Sequence, residues 1–217
     1  MGTTLPTISL SHLDELWFQV SGTLCNLTCN HCFISCSPTN KNFGFLSLAA
    51  VHASLQQSVT LGVKGYYFTG GEPFLNPEMT AILIATLKYG PATVLTNATV
   101  LKQDWIDALV AASRASRYSL EFRVSIDGFD AATNDPIRGA GTFARARAGV
   151  QQLVKAGFLP IITATRTWPQ GNDRTVLANF IKTLKEAGYD RPRIKLLPAL
   201  QIGAEIHRSR GYTDAQR

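Results

Sequence analysis

The 217-residue sequence predicts an α/β protein built from repeated β-α units. Short apolar, β-branched runs alternate with stretches of helical period along the chain. Gly or Pro stands at many of the changeovers, where helices start and stop. The composition, 45% hydrophobic and 17% charged, is that of a folded domain rather than a disordered chain.

Residues 16–20 read as a first strand, followed at once by a loop rich in cysteine. A helix over about 47–61 has Ser47 as cap and Gly62 as stop. Residues 65–69 form a second strand ending in Gly70-Gly71, and a helix over 77–89 starts at Pro77. A third strand at 92–96 and a helix at about 103–113 follow. The second half repeats the alternation: strand 120–126, helix 142–156, strand 159–165, helix 175–187 and strand 194–197. Strands so apolar are expected to be buried on both faces, as in a parallel sheet covered by helices. Parallel strands need right-handed crossovers, which leaves an open doubly wound sheet or a barrel, complete or partial. Residues 1–15 precede this core, 16–200 form it, and 201–217 read as a segment leading into something longer.

No apolar stretch approaches the length of a membrane span, and no secretory signal opens the chain. Met1-Gly2 fails as a myristoylation start because position 6 is Pro6. A cytoplasmic location is expected. The net charge is +6, with six Lys or Arg against Glu205 and Asp214 over residues 191–217. No aromatic residues interleave a basic groove, so the basic end reads as a solvated face and no nucleic-acid partner is expected.

The four cysteines, Cys25, Cys29, Cys32 and Cys36, crowd into one loop, and the 181 residues after them contain none. A disulfide framework would spread its cysteines to staple distant segments. The run Cys25-Asn26-Leu27-Thr28-Cys29-Asn30-His31-Cys32 lies directly after the first strand, where parallel α/β proteins place their ligand sites. An iron–sulfur cluster takes thiolate ligands, and three of them leave one iron of a [4Fe–4S] cubane open. Zinc with Cys36 or His31 as fourth ligand is the alternative, although structural zinc sites usually pair two separated knuckles.

C-x-x-x-C-x-x-C after a first strand resembles the signature of the radical S-adenosylmethionine (SAM) superfamily. Gly70-Gly71-Glu72-Pro73 after strand two, Thr96-Asn97-Ala98-Thr99 after strand three and Ser125-Ile126-Asp127-Gly128 after strand four resemble further segments of that family, as does Asp135-Pro136-Ile137-Arg138-Gly139. Ala98 stands where the family usually has Gly. The branch is similar to peptide-modifying and sulfatase-activating enzymes. The resemblance implies a partial (β/α)6 barrel; a closed eight-fold barrel needs about 250 residues. It implies a [4Fe–4S] cluster on Cys25, Cys29 and Cys32, with SAM as second cofactor. Gly70, Gly71 and Glu72 would meet the SAM amino group, and Asn97 would wall the site. Ser125 would face the methionine carboxylate or ribose, Asp127 would line the site, Arg138 would pair with the carboxylate, and His31 would touch adenine. Cys36 has no place in the three-cysteine motif and reads as a buried supporting thiol. An external electron donor of flavodoxin or ferredoxin type and a peptide or small-molecule substrate complete the implied set. Without a cysteine beyond position 36, the chain has no all-cysteine auxiliary cluster of its own.

Overall fold

The computed structural model describes residues 7–9, 11–169 and 171–213. Six strands form one parallel sheet in the order of the chain: β1 (Glu15–Gln19), β2 (Gly65–Thr69), β3 (Ala92–Thr96), β4 (Leu120–Ser125), β5 (Ile161–Thr165) and β6 (Arg193–Leu197). Seven helices are described: α1 (Leu48–Thr60), α2 (Met79–Thr86), α3 (Gln103–Ala115), α4 (Ala131–Arg138), α5 (Thr142–Lys155), α6 (Asp173–Glu186) and α7 (Ile206–Ser209).

Strand order decides between the two architectures left open by the sequence. Right-handed crossovers that always step to the next strand in the same direction put their helices on one side of the sheet. A doubly wound sheet reverses direction and is covered on both sides. Here the order runs from β1 to β6 without reversal, and no pairing joins β6 to β1 among the described residues. The result is a partial (β/α)6 barrel.

Burial corrects the expectation that both sheet faces are covered. β4 alternates strictly, with Leu120, Phe122 and Val124 buried and Glu121, Arg123 and Ser125 half-buried. The convex face carries the core: Phe18 stacks on Phe68 at 5.3 Å between ring centroids, and Phe122 lies 4.8 Å from Phe158. Each such ring, once buried, contributes about 1.5–3 kcal/mol. The concave face stays partly open and polar. Trp17, 49% exposed, stacks on Tyr67 at 4.4 Å, and Glu121 pairs with both Arg123 (3.1 Å) and Arg193 (2.9 Å).

Several boundaries also shift. α2 begins at Met79 rather than 77, because Pro73–Leu75 forms a 3-10 turn and the Asn76 carbonyl accepts from Met79 N–H. It ends at Thr86, where Tyr89 and Gly90 turn back to donate to the Thr86 carbonyl. β5 starts at Ile161, after Pro160, which has no N–H to give a ladder. α4 was not foreseen as a helix. It is set by a capping box in which the Asp130 carboxylate accepts from Thr133 N–H and the Thr133 hydroxyl accepts from Asp130 N–H. No helix among the described residues is long and apolar enough to cross a membrane.

Candidate active site at the cysteine loop

The loop after β1 is shaped by backbone bonds before any side chain enters. Gly71 N–H donates to the Gly22 carbonyl and Glu72 N–H to the Leu24 carbonyl, each at 3.0 Å, which seats the glycine pair behind β2 against the loop. A Cβ on Gly71 would lie 2.1 Å from the Leu24 oxygen and 2.8 Å from the Cys25 Cβ, so only glycine fits there. On the other side, the carbonyls at the end of α4 hold Asn30: Ile137 accepts its N–H at 2.9 Å and Pro136 accepts its side-chain amide at 2.8 Å. At the far end, Ala204 N–H donates to the Cys32 carbonyl at 2.9 Å, which brings residues 203–209 against the loop.

Each of the three motif sulfurs receives donors. Leu27 N–H (3.4 Å) and the Asn97 amide (3.9 Å) point at Cys25 Sγ, Arg138 Nη1 (3.9 Å) at Cys29 Sγ, and Cys36 N–H (3.3 Å) at Cys32 Sγ. Donors aimed at sulfur are what thiolate ligands of an iron–sulfur cluster use. Burial pushes the Cys25 thiol up to about 12 and raises Cys29 as well. Cys32 is the reverse: the Cys36 thiol and its backbone N–H donate to this sulfur and lower it to about 5. Cys36 itself is buried beside Cys25 and Leu27 and is pushed up by that same bond. Among the described residues, no three His, Cys, Asp or Glu side chains converge as one metal ion requires.

Two buried carboxylates stand beside the loop. Glu72 is fully buried; Oε1 accepts from Phe74 N–H (3.1 Å) and the Thr96 hydroxyl (2.6 Å), and Oε2 from Asn97 N–H (2.8 Å). Its side chain therefore ties β2 to β3 and is turned into the protein. Burial raises the Glu72 carboxyl; the three donors oppose this.

Asp127 follows β4 and its side chain is fully buried. Oδ1 accepts from Thr165 N–H at 2.7 Å. Oδ2 faces His31 Nε2 at 2.7 Å and Arg138 Nε at 2.5 Å, as close contacts rather than aligned hydrogen bonds. Burial works to raise this carboxyl, but Arg138 and His31 outweigh it and hold the group below its ordinary value. Arg138 is thus engaged by Asp127 through Nε and by Cys29 through Nη1.

The structure brings Cys25, Cys29, Cys32, Gly70, Gly71, Asn97, His31, Asp127 and Arg138 to one loop. Ser125 stands apart on the concave face, 3.4 Å from the Thr163 hydroxyl. Ala98 adopts a left-handed φ of 56°, the conformation glycine takes freely, at a cost of about 1–2 kcal/mol. α5 meets it with Gly149, where a Cβ would lie 2.2 Å from the Ala98 oxygen. Sequence reasoning missed Asn26, whose amide carbonyl accepts from the Asn97 amide (2.9 Å) and whose NH2 donates to Thr99 (2.8 Å). It also missed Ser21. Two buried polar atoms at the loop have no partner in the protein, Ser21 Oγ and His31 Nδ1. Unpartnered buried polar atoms beside a set of three sulfurs with donors fit a site that takes a polar cofactor as well as a cluster.

Six parallel strands in sequential order, a three-cysteine loop after the first and a glycine pair after the second define a partial-barrel protein with a thiolate site at its strand ends. The chain belongs to the radical SAM superfamily, whose family model matches residues 20–177. Members of this family use a [4Fe–4S] cluster and S-adenosylmethionine. The chain is 35% identical over 144 residues to an AdoMet-dependent heme synthase from Methanosarcina barkeri, covering 65% of this chain and 39% of that protein. It is 30% identical over 135 residues to the mycofactocin maturase MftC of Mycobacterium ulcerans, covering 62% of this chain and 35% of the relative. The chain therefore spans less than half the length of these relatives. Among solved structures, Streptococcus suis SuiB bound to its precursor peptide SuiA shares the fold, with a TM-score of 0.75 at 20% identity, over 94% of this chain and 43% of SuiB.

Proposed function

We propose that this chain is the catalytic core of a radical SAM enzyme. In this reading Cys25, Cys29 and Cys32 hold the [4Fe–4S] cluster and leave one iron for S-adenosylmethionine. Together these cofactors supply, when bound and reduced, a 5′-deoxyadenosyl radical that takes a hydrogen atom from substrate. The protein's own residues position and shield. Gly70, Gly71 and Glu72 present backbone at close range, Asn97 braces Cys25, and Asp127 with Arg138 and His31 walls the opposite side. Ser125 on the concave face meets the part of the ligand that lies toward the lumen. The observation that carries the reading is the donor set: three sulfurs at the end of the first strand, each with an N–H aimed at it. The substrate is a peptide or a small molecule reaching the concave face, and the precursor peptide bound by SuiB supports the peptide class. An external flavodoxin- or ferredoxin-type protein delivers the electron.

Anaerobic reconstitution tests this. The expected product is a brown protein with about four irons per chain that releases 5′-deoxyadenosine from SAM and dithionite. Cys29→Ala should lose the iron and the cleavage, while Cys36→Ala should keep the iron. One tightly held zinc with no SAM cleavage would sink the proposal, as would iron that depends on Cys36 and not on Cys29.

A further inference from the structure

We infer that Arg138, clamped by Asp127, is a positioning residue that sets the reduction potential of the cluster. The inference rests on the cluster ligation proposed above and extends it to a residue outside the ligand set. Cys25 and Cys32 take their donors from neutral N–H groups and, for Cys32, the Cys36 thiol. Cys29 faces a guanidinium at 3.9 Å, and that guanidinium is buried. A charge in a site screened from water acts far more strongly than one at the surface. One added electron makes a cluster more negative, so a cation beside its thiolate favours the reduced form. Charge and hydrogen bonding at the sulfurs are the established levers on such potentials.

Asp127 does two things in this arrangement. Its charge opposes that of Arg138, and its fixed position decides where the guanidinium sits. The carboxylate is itself pinned: Oδ1 by Thr165 N–H, and its own N–H by the Asn134 side-chain carbonyl at 3.0 Å. Arg138 ends α4, whose carbonyls at Pro136 and Ile137 hold Asn30 next to Cys29. The cysteine loop, the end of α4 and the charge pair are therefore tied together, which would hold the cation beside Cys29.

The test is EPR-monitored potentiometry on the reconstituted chain in the absence of SAM, so that any role of Arg138 in binding SAM does not enter. Iron content is measured first for each variant. Arg138→Gln should shift the midpoint to a more negative value, Arg138→Lys should stay near the wild type, and Asp127→Asn should shift it to a more positive one. Mere disturbance of the loop would not give shifts of opposite sign from two partners in one pair. If the potentials do not move, or if the Gln and Asn variants move the same way, the inference is overturned while the cluster stands. Should Asp127→Asn fail to hold iron, the Lys and Gln variants decide: equal midpoints overturn the inference. A wild-type chain that takes up no iron overturns this inference and its parent reading together.

Discussion

Two carboxylates are buried near the same cysteine loop, one after β2 and one after β4, and their environments push them in opposite directions. Glu72 sits among neutral donors, two backbone N–H groups and a hydroxyl, and burial raises its carboxyl. Asp127 sits among charges, and Arg138 and His31 lower it against the same kind of burial. The difference separates two jobs that look alike in sequence. Glu72 is a bracket that ties adjacent strand ends together, with both carboxylate oxygens accepting hydrogen bonds. Asp127 is an electrostatic hub, joining the cysteine loop, the end of α4 and the last residue of β5.

The largest expected effect comes from breaking the hub. Asp127→Ala leaves Arg138 buried without its counterion and Thr165 N–H without its acceptor. Loss of one partner from a buried pair costs about 3–5 kcal/mol. Glu72→Gln should cost less. The amide oxygen can keep one pair of donors, but its NH2 then faces the third, and a buried donor left without an acceptor costs about 1–3 kcal/mol. Urea unfolding of the two variants beside wild type measures both. If Glu72→Gln is the more damaging change, the division between bracket and hub is wrong.

The bracket was legible in the sequence only as a motif, and the hub hardly at all. Cys25, Cys29 and Cys32 could be read because ligand spacing is a local property of one loop. Six strands could be read because the apolar runs of a parallel sheet are short and punctuated. Asp127 was seen as a site residue, but its contact with His31 depends on how β4 and the cysteine loop meet in three dimensions. Likewise, nothing local told that Asn26 and Asn97, 71 positions apart, would bond. α4 did leave a trace, Asp130 three residues before Thr133, which is the cap pattern that sets it; Pro136 inside the segment obscured it. The open concave face was missed because Glu121 and Arg123, the polar alternates of β4, were counted within an apolar run. The alternation itself, polar against Leu120, Phe122 and Val124, was the available signal.

The smallest effect, a pH slope, distinguishes the two carboxylates by sign. Unfolded, a Glu titrates near about 4.3 and an Asp near about 3.9. Glu72 is raised in the fold, so on acidification the folded chain takes up this proton before the unfolded chain does. By linkage, its contribution to stability grows as pH falls from its raised value to about 4.3. Asp127 is lowered, so its contribution is complete above about 3.9 and is lost as pH falls further. The lowered Asp135 follows the same rule as Asp127, and Cys32, lowered to about 5, works against Glu72 in the higher window. Other groups titrate alike in wild type and in Glu72→Gln, so the difference between the two isolates this carboxyl. Unfolding measured between about pH 7 and 4.3 should show the wild type gaining on Glu72→Gln as the pH drops. A gap that stays constant would mean that the three donors hold Glu72 at its ordinary value despite burial, and that the two carboxylates differ less than their partners imply.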